Sequence, residues 1–352
     1  RLDFSCALFD AEGHLIANAP HVPVHLGSMG ESIKSVIEAN RDTIEAGDVF
    51  LLNDPYHGGT HLPDMTVITP VFVEGHSRPL FYVGSRGHHA DIGGLTPGSI
   101  PPFSVHIEEE GICISNFKLV SGGELREQAL VDLLQQGKYP ARNIAQNLAD
   151  CRAQIAANEK GVQELQKLCA EYGLEVVQAY MQHVQDNAEQ AVRKVIDRLH
   201  DGEFRVQLDN DSNIQVAIRV DKQQRQAEID FSGTSAQQEN NFNAPKAVAI
   251  AAVLYVFRTL VDDEIPLNAG CLKPLSLMIP EGCMLNPVYP ASVVAGNVET
   301  STCITNALYG ALGVMASAQP TMNNLTFGNA RHQYYETLAG GSGAGGIFDE
   351  QG

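Results

Sequence analysis

No run of about 18 apolar residues occurs in this 352-residue chain, and its N-terminus lacks the charged-then-apolar pattern of a secretory signal. Those absences argue against a membrane span and make the cytoplasm the expected compartment. Positive charge is also scarce: 23 Lys plus Arg stand against 42 Asp plus Glu, a formal net charge of −19. Such a surface repels polyanions, so neither nucleic acid nor an acidic membrane is an expected partner. The seven cysteines (6, 113, 151, 169, 271, 283, 303) are odd in number, scattered and never spaced C-x-x-C. This argues against a disulfide framework and a thiolate zinc site, and for a reducing compartment. There is no G-x-x-x-x-G-K-[ST] phosphate loop, since the glycine-rich run at 340–346 lacks the lysine, and no G-x-S-x-G elbow. Neither P-loop nucleotide binding nor a standard serine triad is expected.

What is present is the composition of a folded protein, 44% hydrophobic and 18% charged, with length enough for one large domain or two ordinary ones. Up to about residue 118, short apolar runs alternate with Gly, Pro, Asn and Asp: FSCALFD, HLIAN, DVFLLND, MTVITPVFV, PLFYVGS and GICISNF. These read as strands joined by turns. Met29, Ile33, Val36 and Ile37 recur at helical spacing and predict a helix over about 28–40. Between about 125 and 199 the period changes. Ile144, Leu148, Cys151 and Ile155, and after Gly173 the series Val177, Met181, Val184, Ala188, Ala191, Val195 and Leu199, predict two long amphipathic helices. Strand texture returns over 204–231 with short turns that favour antiparallel pairing, and helices are expected at 244–263 and 301–318. The expectation is an α+β (mixed α/β) fold: a β-rich metal-site region at 1–124, a helical segment at 125–200 and an α+β region at 201–352. Arg1 is not an initiator methionine and the glycine-rich run lies near the last residue, so the chain reads as a piece of a longer protein, truncated on its C-terminal side.

Nine of the twelve histidines lie in the first 106 residues. His61 and Asp64 sit three apart in N-D-P-Y-H-G-G-T-H-L-P-D, with Asp54 and His57 just upstream, and R-G-H-H-A-D-I-G-G follows some twenty residues later. The segment between reads as a β-hairpin, which would bring H-L-P-D and G-H-H-A-D face to face. A histidine beside a turn is ordinarily a surface or hydrogen-bonding group; two facing His/Asp clusters point instead to a divalent metal. Imidazole with carboxylate suits Zn²⁺, Mn²⁺ or Fe²⁺ better than Ca²⁺ or Mg²⁺. His14, His21, His25, His76 and His106 lack such support and are assigned structural roles, and Cys6 reads as strand core. A second polar group, G-N-V-E-T-S-T at 296–302, N-N-L-T-F-G-N at 323–329 and Y-Y-E at 334–336, can line a small-molecule pocket or simply form turns and caps.

The motifs L-D-F-S-C-A-L-F-D, A-P-H-V-P-V-H-L-G, G-G-T-H-L-P-D, S-R-G-H-H-A-D-I-G-G, D-F-S-G-T-S, G-N-V-E-T-S and Y-Y-E-T-L-A-G-G-S-G-A-G together resemble the hydantoinase B family over essentially the whole chain. Within it the chain is most similar to the corresponding half of the 5-oxoprolinases, which open 5-oxo-L-proline to L-glutamate at the expense of ATP. The resemblance implies a metal, Zn or Mn, held by Asp3, His61, Asp64 and His88. His89 and Asp91 would then be catalytic groups that orient ligands or move protons. It implies an oligomer containing an ATP-binding hydantoinase A-type subunit or domain, through which ATP enters the reaction. Asn297, Ser301 and Asn323 are the expected substrate contacts. Three alternatives stay open: an N-substituted hydantoinase, a ketone carboxylase subunit, or a non-catalytic scaffold with a structural metal.

Overall fold

The structure is a computed structural model that describes residues 3–19, 21–328, 333–338 and 340–344. Seven strands build the first sheet: β1 (Phe4–Asp10), β2 (Leu15–Asn18), β3 (Val49–Leu52), β4 (Asp64–Val71), β5 (Phe81–His88), β6 (Phe117–Ser121) and β7 (Glu124–Leu125). They lie in the order β2-β1-β5-β4-β3-β6-β7, and every neighbouring pair is antiparallel. An antiparallel sheet commonly leaves one face to water. Here both faces are covered, which is why β4 is buried throughout and shows no strict polar/apolar alternation. One face receives helix α1 (Pro23–Ala39), whose Met29 and Ile33 pack with Phe9, Phe50, Leu52 and Ile68. Pro23 opens that helix at its first turn, where a missing N–H costs nothing.

The other face receives α2 (Glu127–Leu134) and the 29-residue α3 (Ile144–Tyr172). The buried side of α3 carries amides among its apolar groups. Gln154 Nε2 donates to the Met65 and Ser85 carbonyls (2.9 and 3.2 Å), and Asn158 Nδ2 to those of Val67 and Val83 (3.0 and 3.3 Å). These bonds fasten the helix across the β4–β5 hairpin. After Gly173, whose φ of +86° suits glycine, the chain turns into α4 (Leu174–Ile196).

A second sheet holds β8 (Gly202–Gln207), β9 (Asn213–Asp221), β10 (Gln226–Asp230) and β11 (Leu275–Met278), ordered β11-β10-β9-β8, with only the β10–β11 pair parallel. Helices α5 (Lys246–Thr259) and α6 (Thr300–Leu312) share its core with Ala188, Val192 and Ile196 of α4. The expected α+β architecture is therefore present. The helical stretch 125–200 is divided between two cores, since α3 serves the first sheet and this half of α4 the second. A final hairpin pairs β12 (Asn323–Gly328) with β13 (Gln333–Leu338). GICISNF forms a strand only at its last residue: Asn53 and Asp54 N–H groups donate to the Ile114 carbonyl, and Ile112 N–H to that of Ile92, so this segment ties loops together. Among the described residues no helix is long and apolar enough to cross a membrane.

The two cores meet where α1 crosses α5. A Cβ on Gly27 would stand 2.6 Å from the Ala251 Cα, so the crossing requires glycine. Gly27→Ala is expected to lower unfolding free energy by about 1–3 kcal/mol through overpacking, read by chemical denaturation, whereas Glu38→Ala on the exposed side of the helix leaves it near wild type. Equal stability of Gly27→Ala and wild type would show that the crossing tolerates more separation.

Candidate metal centre

Antiparallel pairing of β4 with β5 sets Asp64 directly opposite His88, at the open end of the hairpin. His88 Nδ1 lies 3.0 Å from Asp64 Oδ1, and His61 Nε2 stands at the same distance from that oxygen. One ligand atom from each of the three residues falls within 4.8 Å of the others, a grouping able to hold a metal ion. The loop carrying His61 is set by glycine and asparagine. Gly58 has φ +88° and a Cβ there would sit 2.4 Å from the backbone of α1. Asn53, fully buried, donates to the Leu62 and Ile112 carbonyls and accepts from Ile114 N–H.

Asp64 is almost completely buried and is the centre of the arrangement. Thr60 Oγ1 and Asn297 Nδ2 donate to its Oδ2 (2.7 and 2.9 Å). His25 Nε2 approaches the same oxygen at 3.5 Å. Burial alone would raise the Asp64 pKa, but His61 and His25 outweigh it and hold the carboxyl well below its ordinary value. Burial would likewise depress His61, and the Asp64 charge reverses this to a net rise. His61 Nδ1 faces the Val294 carbonyl at 3.2 Å, and a carbonyl only accepts, so Nδ1 carries the proton and donates it.

Of the four expected ligands, His61, Asp64 and His88 come together. The Asp3 carboxylate stands outside that cluster at the rim, 3.9 Å from His25 Nε2. His25, assigned a structural role from sequence, lies against the cluster; its signal was A-P-H-V-P-V-H-L-G, but spacing alone cannot tell that α1 crosses the hairpin's end. His57 and Asp54 pair with each other (2.8 Å) apart from it.

His89 is turned to α3. Asn147 Nδ2 donates to its Nδ1 (3.1 Å), so Nε2–H is left to donate to Gln154 Oε1 (3.0 Å). Burial lowers its pKa and the ring is neutral. Asp91 accepts from Gly93 N–H, Gly98 N–H and Arg142, and so clasps the loop that follows β5. Asn297 meets Asp64 itself, and its Oδ1 is buried without a partner. Ser301 donates to the Asn297 carbonyl at 2.6 Å. Asn323 begins β12, and its side chain lies outside the described residues.

Two further groups were invisible in the sequence. Arg86 is fully buried: Nε donates to Thr66 Oγ1 (2.7 Å), Nη1 to Ser28 Oγ, and Nη2 to Ser32 Oγ (2.7 Å) and the Gly58 carbonyl (3.3 Å). Burial pushes its pKa down to about 10, with the Asp64 charge opposing. Glu110 is buried too, its pKa pushed up to about 7 by burial against hydrogen bonds from Val294, Val293 and Ser104. Beside His88 and Asp3 a cleft of about 970 Å³ opens, walled by β5, the 97–100 loop and α3 residues including Gln146 and Asp150.

A doubly covered antiparallel sheet joined to a second α+β core is a fold shared with known proteins. The model of the Hydantoinase B/oxoprolinase family matches residues 1–351, and the chain belongs to that family, in keeping with its motifs. More particularly, it is similar to the 5-oxoprolinase of Dictyostelium discoideum, 45% identical over 361 residues that take in 99% of this chain and 28% of that protein. The 5-oxoprolinase 1 of Arabidopsis thaliana is 46% identical over 369 residues, 98% of this chain and 29% of that protein. The chain thus spans less than a third of the length of these relatives. Among solved structures it is similar to the ATP-dependent caprolactamase from Pseudomonas jessenii, with a TM-score of 0.81 at 27% identity, over 95% of this chain and 59% of that one.

Arg86 gives the centre a test that does not depend on catalysis. Arg86→Met removes donors from three buried hydroxyls and the charge that faces Asp64, and is expected to cost on the order of 3 kcal/mol of stability. Arg78→Met, at an exposed and long ion pair, should change little. Denaturation curves that coincide for the Arg86 variant and wild type would refute a stabilising role for the buried guanidinium.

Proposed function

We propose that the chain is the metal-bearing, lactam-opening part of an ATP-dependent 5-oxoprolinase, opening 5-oxo-L-proline to L-glutamate with an ATP-binding hydantoinase A-type subunit or domain. The observation that carries this reading is the convergence of His61, Asp64 and His88 beside a cleft, in a chain 45% identical to a 5-oxoprolinase of which it spans 28%. The remaining length of such relatives leaves room for an ATP-binding part, and the present sequence carries no phosphate loop.

The donor set fits a divalent metal. His61 holds its Nδ1–H on a backbone carbonyl, so Nε2, beside Asp64, is the nitrogen that would give up its proton to a cation, the usual habit of a metal-ligating histidine. Asn297 Oδ1 is an additional oxygen with no other partner. Two imidazoles and carboxylate without thiolate favour Zn²⁺ or Mn²⁺. His61, Asp64 and His88 would hold the ion, with Asp3 completing the set from the rim. A bound divalent ion supplies Lewis acidity, polarising the lactam carbonyl and acidifying water.

The chain's own residues bind and orient. Gln146 and Asp150, on the cleft wall, offer hydrogen bonds to the ring amide. His89, held at both nitrogens, and Asp91, clasped by Arg142, fix the strand end and its loop, a role of orientation in preference to proton relay. In the overall reaction the oxygen of water joins the lactam carbonyl carbon, the C–N bond breaks and the ring nitrogen takes a proton. ATP, through the partner, becomes ADP and phosphate with the consumption of a second water.

Metal-free chain incubated with Zn²⁺ or Mn²⁺ is expected to retain about one equivalent, and His61→Ala to bind at least about 10-fold more weakly. His57→Ala should bind as wild type. Equal binding by wild type and His61→Ala, measured by elemental analysis and chelator competition, would remove the metal from this site.

The isolated chain should neither hydrolyse ATP nor make glutamate, whereas the assembled enzyme should consume 5-oxoproline and ATP together. Turnover by the chain alone contradicts the division of labour. ATP-dependent turnover of a hydantoin or a small ketone in place of 5-oxoproline transfers the reading to those chemistries.

A further inference from the structure

Glu110 follows the short 3-10 turn at Ile107–Glu109 and is fully buried, yet nothing in the sequence marks it out and its hydrogen bonds do not go to the cluster itself. Oε1 accepts from Val293 N–H and Val294 N–H (both 3.0 Å) and from Ser104 Oγ (2.8 Å), and Oε2 shares the Val293 N–H at 3.1 Å. A carboxylate is the strongest acceptor a side chain can offer to two successive backbone donors. It therefore grips two successive peptide groups, through the N–H of Val293 and of Val294, in the segment that joins the two cores.

The next peptide of that segment reaches the metal cluster. The Val294 carbonyl accepts the His61 Nδ1 proton, and three residues on, past the 3-10 turn at Val294–Gly296, Asn297 donates to Asp64. A neutral imidazole, the form that ligates a metal, has Nε2 as its lone pair when Nδ1–H is given to a carbonyl, so the place of the Val294 carbonyl decides which His61 nitrogen can bind an ion. We infer that Glu110 is a positioning residue for the cluster: by holding the Val293 and Val294 N–H groups it sets the Val294 carbonyl, and through it the tautomer and aim of His61. This rests on the metal reading given above, and concerns a residue outside the proposed ligand set.

The experiment compares the full chain with its Glu110→Ala and Glu110→Gln variants, using Zn²⁺ as probe in chelator competition. Thermal melting of the metal-free forms reports the fold. Histidine-selective ¹⁵N NMR of the Zn²⁺-loaded wild type assigns the His61 proton. Glu110→Ala removes both acceptors and is expected to weaken Zn²⁺ about 10–100-fold, the range for outer partners of metal ligands. Glu110→Gln keeps an oxygen where Oε1 takes its three bonds and should remain within a few-fold of wild type. In the wild type the proton should reside on Nδ1. Wild-type affinity in a folded Glu110→Ala, or a Glu110→Gln as weak as Glu110→Ala, overturns the inference while leaving the metal reading intact. A His61 proton on Nε2 overturns it even where Glu110→Ala does not fold. A wild type that binds no Zn²⁺ strikes the metal reading itself.

Discussion

A carboxylate removed from water must be met by charge or hydrogen bonds, because an isolated buried ion costs many kcal/mol. Asp64 is such a group, and the fold converges on it. The β4–β5 register supplies His88, the glycine-rich loop supplies Thr60 and His61, α1 brings His25, and the second core sends Asn297. These groups come from four separate parts of the chain, so the whole arrangement exists only when sheet, helix and second core are assembled. Three imidazoles around one acid also exceed what one carboxylate needs as hydrogen-bond partners. A cation among them, as proposed above, would give the spare nitrogens a use.

Arg86 sets the same constraint from beneath. Its guanidinium is surrounded by hydroxyls and a carbonyl, with Asp64 as the counter-charge felt through the interior. Ser28 and Ser32 lie one turn apart on α1, so one planar fork can reach both. The helix is thereby held at the height that places His25 near Asp64. In this way the polar residues of an otherwise apolar helix face serve the site as well as the core.

The hairpin was legible because its signals are local. Apolar runs of strand length flank a turn, and antiparallel pairing alone opposes the residues at their ends, which suffices to make His61, Asp64 and His88 neighbours. His25 and Asn297 were not legible in that sense: their meeting with Asp64 spans 39 and 233 positions and depends on helix crossings. The length of α3 and the break at Gly173 followed from periodicity, yet the phase of α3 did not. Ile144, Leu148 and Ile155 flank the buried face, while Asn147, Gln154 and Asn158 occupy it together with Cys151. Amides replaced hydrocarbon there because the hairpin offers carbonyls and a histidine to bond. GICISNF misled for a related reason: its alternation is that of a strand, but the partners of its backbone are the Asn53 side chain and two loops.

The position of the site at the seam has a mechanical consequence. Segment 291–297 bridges the cores: Asn243 Nδ2 donates to the Ser292 carbonyl and Ala295 N–H to that of Asn241 on one side, and on the other stand the Tyr56 hydroxyl on the Ala291 carbonyl, Glu110 on two N–H groups, His61 on Val294 and Asn297 on Asp64. The close approach of Gly27 to Ala251 locks the helices behind it. A rigid-body shift of one core against the other would therefore strain these hydrogen bonds at the cluster together, and cannot be absorbed by a single flexible side chain. Electrostatic sites work best when their dipoles need no rearrangement as charge develops. The bracing of this seam supplies that rigidity, while the cleft beside His88, walled by α3 and the loop clasped through Asp91, belongs to the first core and stays open to a small molecule.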